Sequence, residues 1–156
     1  MKRIGFSLIE LLIVISITLV IFSLGIASFH QFNKRERVRQ SALSLKASLR
    51  LAQSKALSAE KPKSDCTTYQ GVQVSFTASS YTLQHVCDPE GAAGEATTST
   101  FTPGVTFETT PTTFTYLSTN TLDRTTDQTI TITDGRSSYI LEILQNGVIN
   151  DRGLTN

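Results

Sequence analysis

Twenty-four consecutive positions, Phe6 to Phe29, are apolar, small or hydroxyl-bearing except for one ionisable residue, Glu10. As a helix this stretch spans about 36 Å at about 1.5 Å per residue, against about 30 Å for a hydrocarbon core. The pattern therefore predicts a membrane-crossing helix with a carboxylate near one end. A carboxylate at mid-bilayer depth costs about 2.5–3.5 kcal/mol, so Glu10 calls for a partner. The pattern then changes. Val38, Ala42, Leu45, Leu49, Ala52, Ala56 and Ala59 recur at alternating spacings of four and three, one apolar stripe flanked by Arg, Lys, Ser and Gln. No proline precedes Pro62, where a helix has to stop. Phe6 to about Lys61 is thus predicted as one helix of about 80 Å, its first half facing lipid or other helices and its second half lying on a globular head. The stripe lasts only about three heptads and its members are small, which argues against an ordinary coiled coil.

Beyond Pro62 the period becomes two. "GVQVSF" (Val72, Val74, Phe76) and "YTLQHV" (Tyr81, Leu83, His85) alternate around "TASS", predicting a hairpin with Phe76 opposite Tyr81 and Val74 opposite Leu83. Asp88–Thr100, "DPEGAAGEATTST", reads as a flexible loop. Further strands are predicted at Val105–Glu108, Thr113–Leu117, Thr129–Thr133 and Tyr139–Leu144, with "DGRSS" turning between the last two. "NG" (Asn146, Gly147) turns into a short final strand at Val148–Ile149. The predicted fold class is α+β: a long N-terminal helix, membrane-spanning in its first half and amphipathic in its second, packed on a small antiparallel β-sheet head.

Charge adds an asymmetry that the net value of +1 over 156 residues conceals. Between Lys34 and Lys63 nine Lys/Arg face Glu36 and Glu60, a net of +7 (9 − 2). From Ser64 onward ten Asp/Glu face Arg124, Arg136 and Arg152, a net of −7 (3 − 10). An acidic head is a poor general nucleic-acid surface, because phosphate contacts dominate that affinity. Opposite signs on stem and head suit packing between copies of the chain, although a solvated helix beside an ordinary acidic domain has the same composition. Lys2 and Arg3 favour a cytoplasmic N-terminus, while "NKRERVR" (Asn33 to Arg39) places four cations on the opposite side of the span and argues the other way. Cys66 and Cys87, beyond a span and in an oxidising compartment, point to a disulfide across the first hairpin rather than two buried thiols. Closing a loop of this size contributes about 3 kcal/mol in the chain-entropy model.

Enzyme chemistry is not signalled. His30 and His85 lie in unrelated contexts, and no metal-ligand spacing, nucleophile elbow, P-loop or dinucleotide fingerprint occurs. No catalytic residue, metal or cofactor is expected. Asp123, Asp127 and Asp134 surround a loop but lack the calcium-loop spacing, so solvated carboxylates are the simpler reading. Arg124, Arg136 and Arg152 are candidate contacts for an anionic ligand.

"GFSLIELLIVISI" (Gly5 to Ile17) resembles the N-terminus of type IV pilins and type II secretion pseudopilins, the class III signal peptides. Gly5 matches the residue before the prepilin-peptidase cut, Phe6 the new and N-methylated N-terminus, and Glu10 the glutamate of the assembly salt bridge. "LRLAQSKALSAEKP" (Leu49 to Pro62) and the closing "ITDGRSSYILEILQNGVI" look like the minor-pilin group that includes the GspH and FimT type. The cysteine pair departs from the C-terminal loop disulfide common in major pilins. The resemblance implies a leader over 1–5, a transmembrane and assembly helix over 6–29, an amphipathic continuation over 30–62 and a β-rich periplasmic or extracellular head over 63–156. It implies a minor pilin or pseudopilin held in the bacterial inner membrane as a single-pass protein, then assembled into a pilus or pseudopilus. Its implied partners are prepilin peptidase, other pilin subunits, the inner-membrane assembly platform and, before assembly, the lipid bilayer. An alternative within the same resemblance is a tip subunit for adhesion or DNA uptake. An ordinary secreted protein cut after "GIA" (Gly25 to Ala27) would start at Ser28, but Glu10 in the apolar run and the unbroken pattern to Asn33 argue against it.

Overall fold

The structure, a computed structural model, describes residues 7–59, 61–62, 66–119 and 121–155, without the side chains of residues 24–29. Gly5 and Phe6, the predicted cleavage and methylation positions, lie outside the described residues. One helix, α1 (Leu8–Leu57), precedes eight strands: β1 (Thr68–Phe76), β2 (Ser80–Asp88), β3 (Gly91–Thr100), β4 (Thr106–Phe107), β5 (Phe114–Leu117), β6 (Gln128–Thr133), β7 (Ser138–Ile143) and β8 (Ile149–Thr155). The chain divides into two compact units, Met1–Arg35 and Glu36–Asn156.

The predicted fold is corrected in four places. Among the described residues no helix is long and apolar enough to cross a membrane, which does not fit a transmembrane helix over 6–29 or a single-pass anchor. The helix has 50 residues and stops at Leu57 instead of about Lys61. The Ser58 amide still donates to Ser54, but Ala59 takes a left-handed φ of 49° and its amide donates to Ala56, so the chain turns away before Pro62. The head is not one small sheet. It is two four-stranded antiparallel sheets, ordered β3-β2-β1-β5 and β4-β6-β7-β8. Finally, the predicted loop over Asp88–Thr100 contains β3, and the short last strand is the seven-residue β8. Both are edge strands with little apolar alternation, because backbone pairing with β2 and β7 holds them rather than side-chain burial.

Within Glu36–Asn156 the core follows from the pattern read above. Val38, Ala42, Leu45, Leu49, Ala52 and Ala56 are all fully buried, while Ala59 lies beyond the helix end and is exposed. They share one apolar cluster with Val72, Val74, Tyr81, Leu83, Phe114 and Tyr116 of the first sheet. Phe107, Ile130, Ile132, Tyr139, Leu141 and Ile143 of the second sheet join the same cluster. The small alanines let the backbone approach the strands, and the leucines fill the space between. The hairpin pairs in the predicted register, Phe76 opposite Tyr81 and Val74 opposite Leu83. Tyr81 reaches from β2 to the helix, where its hydroxyl lies 3.0 Å from the Ser48 hydroxyl. Cys66 and Cys87 are bridged, tying the chain that enters β1 to the end of β2.

Two glycines are required by close approach. A Cβ on Gly71 would overlap the Tyr116 carbonyl oxygen of β5, at the point where β1 bulges in its pairing with β2. Gly94 has a φ of 74°, and a Cβ there would press on the Pro62 ring.

Candidate assembly surface

In the unit Met1–Arg35 the described apolar side chains have no cover. Leu8, Ile9, Leu11, Leu12, Ile13, Val14, Ile15, Ile17, Leu19, Val20, Ile21 and Phe22 are between 47% and 78% exposed, and they point to every side of the helix. A helix that is apolar all round is normally buried, and a contiguous apolar surface of this kind marks an interaction site. Three of its hydroxyls are already bonded to backbone. Ser16 donates to the Leu12 carbonyl at 2.8 Å, Thr18 to Val14 at 2.6 Å and Ser23 to Val20 at 2.8 Å. Bonds back to the preceding turn leave such side chains no polar demand on their surroundings.

Glu10 is the exception. It is exposed, lies in the first turn of α1 and makes no salt bridge among the described residues. The first-turn position favours a carboxylate, because unpaired amides concentrate positive potential there. Ser7 immediately precedes the helix and Glu10 follows it by three, the spacing of a capping box. Helix capping is therefore a second role open to the same residue.

The unit Glu36–Asn156 is covered on one helix face and open on the other. Opposite the buried stripe, Leu43, Ala47, Arg50, Leu51, Ser54 and Leu57 are exposed. At its side Lys46 binds Asp151 of β8 at 2.9 Å. The Asp151 carboxyl is held below its ordinary range by a hydrogen bond from Tyr139 and by Lys46. Burial and the same carboxylate push the Tyr139 phenol up to about 12. This clasp carried no sequence signal, because its members are far apart in the chain.

The three candidate anion-binding arginines are not gathered. Arg124 donates to the Thr112 hydroxyl before β6, Arg136 sits in the turn after β6, and Arg152 is spent on Glu142 at 3.0 Å. Arg152 holds the Glu142 carboxyl below its ordinary range. The aspartates act as backbone caps. Asp123 accepts the Thr115 amide at 2.9 Å, Asp127 the Gln145 amide at 2.9 Å, and Asp134 the Arg136 and Ser137 amides. No group of His, Cys, Asp or Glu able to hold a metal ion occurs among the described residues. His30 is exposed on α1, and His85 lies against Tyr69 with Nδ1 3.3 Å from its hydroxyl. A cleft of about 240 Å³ between the helix and the β3–β4 connection is lined by Gln40, Ser41, Ser44, Thr100, Phe101 and Thr102 and contains no acid–base pair.

No protein-family model, curated protein or solved structure matches this chain.

Proposed function

We propose that this chain is a minor pilin or pseudopilin, a structural subunit that polymerises and primes a type IV pilus or type II secretion pseudopilus. The observation that carries the reading is the uncovered apolar helix over Leu8–Phe22 with a single carboxylate, Glu10, beside a head that has its own complete core. Such a helix needs an apolar environment, and the helices of neighbouring subunits supply one. Prepilin peptidase cuts after Gly5 and frees the Phe6 amine, which is then N-methylated and stays cationic. Glu10 of a neighbouring subunit pairs with that amine. In an apolar setting each ion alone is costly, whereas the pair offsets much of the desolvation. The pairing sets the register as subunits add at the inner-membrane assembly platform. The head works in the periplasm or outside the cell, where a disulfide such as Cys66–Cys87 persists.

Glu10→Ala and Glu10→Gln test this together. Both precursors should be cut, giving mature chains that begin at Phe6, and both should enter sheared filaments about tenfold less than wild type. Glutamine still serves a capping box, so normal assembly of Glu10→Gln would assign Glu10 to the helix cap and overturn the pairing. A mature N-terminus at Ser28 would overturn the filament reading itself.

A further inference from the structure

We infer that the outward face of α1 between Leu43 and Leu57 docks the Asp123/Asp127 loop of a second copy of this chain. The inference deepens the filament reading and rests on it for the partner's identity. Leu43, Leu51 and Leu57 are 41%, 50% and 48% exposed on the face opposite the buried stripe. Ala47, Arg50 and Ser54 are exposed on the same face. Arg50 makes no salt bridge among the described residues, whereas Lys46 and Arg39 are engaged with Asp151 and Glu36.

The head supplies the matching charge. Glu142 and Asp151 are neutralised by Arg152 and Lys46. Asp123 and Asp127 are exposed and meet no cation among the described residues, and a backbone amide fixes one oxygen of each. A carboxylate held in place loses little freedom when a cation meets its other oxygen. The +7 of residues 34–63 and the −7 of residues 64–156 favour this pairing at longer range. This face with its single cation, Arg50, lies opposite the stripe buried in its own copy's core, so the acidic loop that meets it belongs to another. Because the two patches differ, the contact is heterologous and repeats head to tail, as an open fibre requires.

The test uses full-length chain in detergent, with self-association followed by sedimentation at low and high salt. Wild type should associate at low salt and weaken as salt rises, since the pair is exposed and screened. Arg50→Glu and Asp127→Lys should each weaken association about fivefold to tenfold. The double variant, Arg50→Glu with Asp127→Lys, should return to within about threefold of wild type. Unchanged melting temperatures keep a folding defect from passing as lost docking. Monomeric wild type at every salt concentration, singles that associate like wild type, or a double no better than its singles would each overturn the proposal. A charge swap that fails while Glu10→Gln still blocks assembly removes this contact and leaves the filament reading intact. A charge swap that succeeds in a chain whose mature N-terminus is Ser28 keeps this contact and overturns the filament reading.

Discussion

Lys46 of α1 and Asp151 of β8 meet at 2.9 Å across 105 positions of sequence, and Tyr139 of β7 donates its hydroxyl to the same carboxylate. This clasp fastens the helix to the outer strand of the second sheet, a strand with little apolar surface of its own. Lys46→Met removes the cation and keeps the stem, so it should cost about 1 kcal/mol in urea unfolding, given the partial exposure of both groups.

The clasp also sets a pH dependence. The Asp151 carboxyl titrates lower in the folded chain than unfolded, so its contribution is present above the unfolded value of about 3.9. It is lost as pH falls from there through the folded value. The Tyr139 phenol is raised to about 12, so the folded chain keeps a proton that the unfolded chain releases near 10. Stability should therefore fall again as pH rises from about 10 towards 12. Thermal melts of wild type and Asp151→Asn check both arms. The variant should lose the acid-side dependence that Asp151 supplies and show a weaker alkaline one.

Leu49 and Leu43 separate the two faces of the helix. Leu49 is fully buried, and Leu49→Ala should cost about 2–5 kcal/mol through lost burial and a residual cavity. Leu43 is exposed, and Leu43→Ala should change stability by less than about 0.5 kcal/mol while weakening self-association. Denaturant titration beside sedimentation distinguishes them.

Reduction of the Cys66–Cys87 bridge, or its replacement by two serines, should cost about 3 kcal/mol, because 21 positions separate the cysteines. A thermal melt with and without reductant measures the loss, and the double-serine variant should no longer respond to reductant.

Gly71→Ala should be among the costliest single changes in the head, above about 2 kcal/mol, because the new Cβ meets the Tyr116 carbonyl at the β1–β5 junction. Gly91→Ala is the control. It meets nothing within 4 Å, so only its φ of 78° opposes the change, at about 1 kcal/mol. Equal losses would show that the close approach to β5 is not what requires glycine at position 71.

The linear pattern determined what depends on neighbours along the chain. The period of 3.6 placed Val38, Ala42, Leu45, Leu49, Ala52 and Ala56 on one buried stripe, and the period of two with "TASS" put Phe76 opposite Tyr81. The uncovered run around Glu10 was also legible, since an all-apolar helix shows itself without reference to the rest of the fold. The same letters predicted a membrane-crossing helix over 6–29, and that expectation is corrected, since among the described residues no helix is long and apolar enough to cross a membrane.

Tertiary structure alone decided the rest, and in each case the reason is pairing between distant segments. β3 and β8 are strands because β2 and β7 offer them hydrogen bonds, not because their side chains alternate. Two sheets form where one was expected, since an apolar strand does not name its partner. Arg152 is removed from the candidate anion contacts by Glu142, which only the register of β7 with β8 brings within reach. Lys46, Asp151 and Tyr139 are ordinary surface letters in the chain. They become a clasp because the helix stripe, read correctly from the sequence as far as Ala56, docks in an orientation that only the packed core fixes.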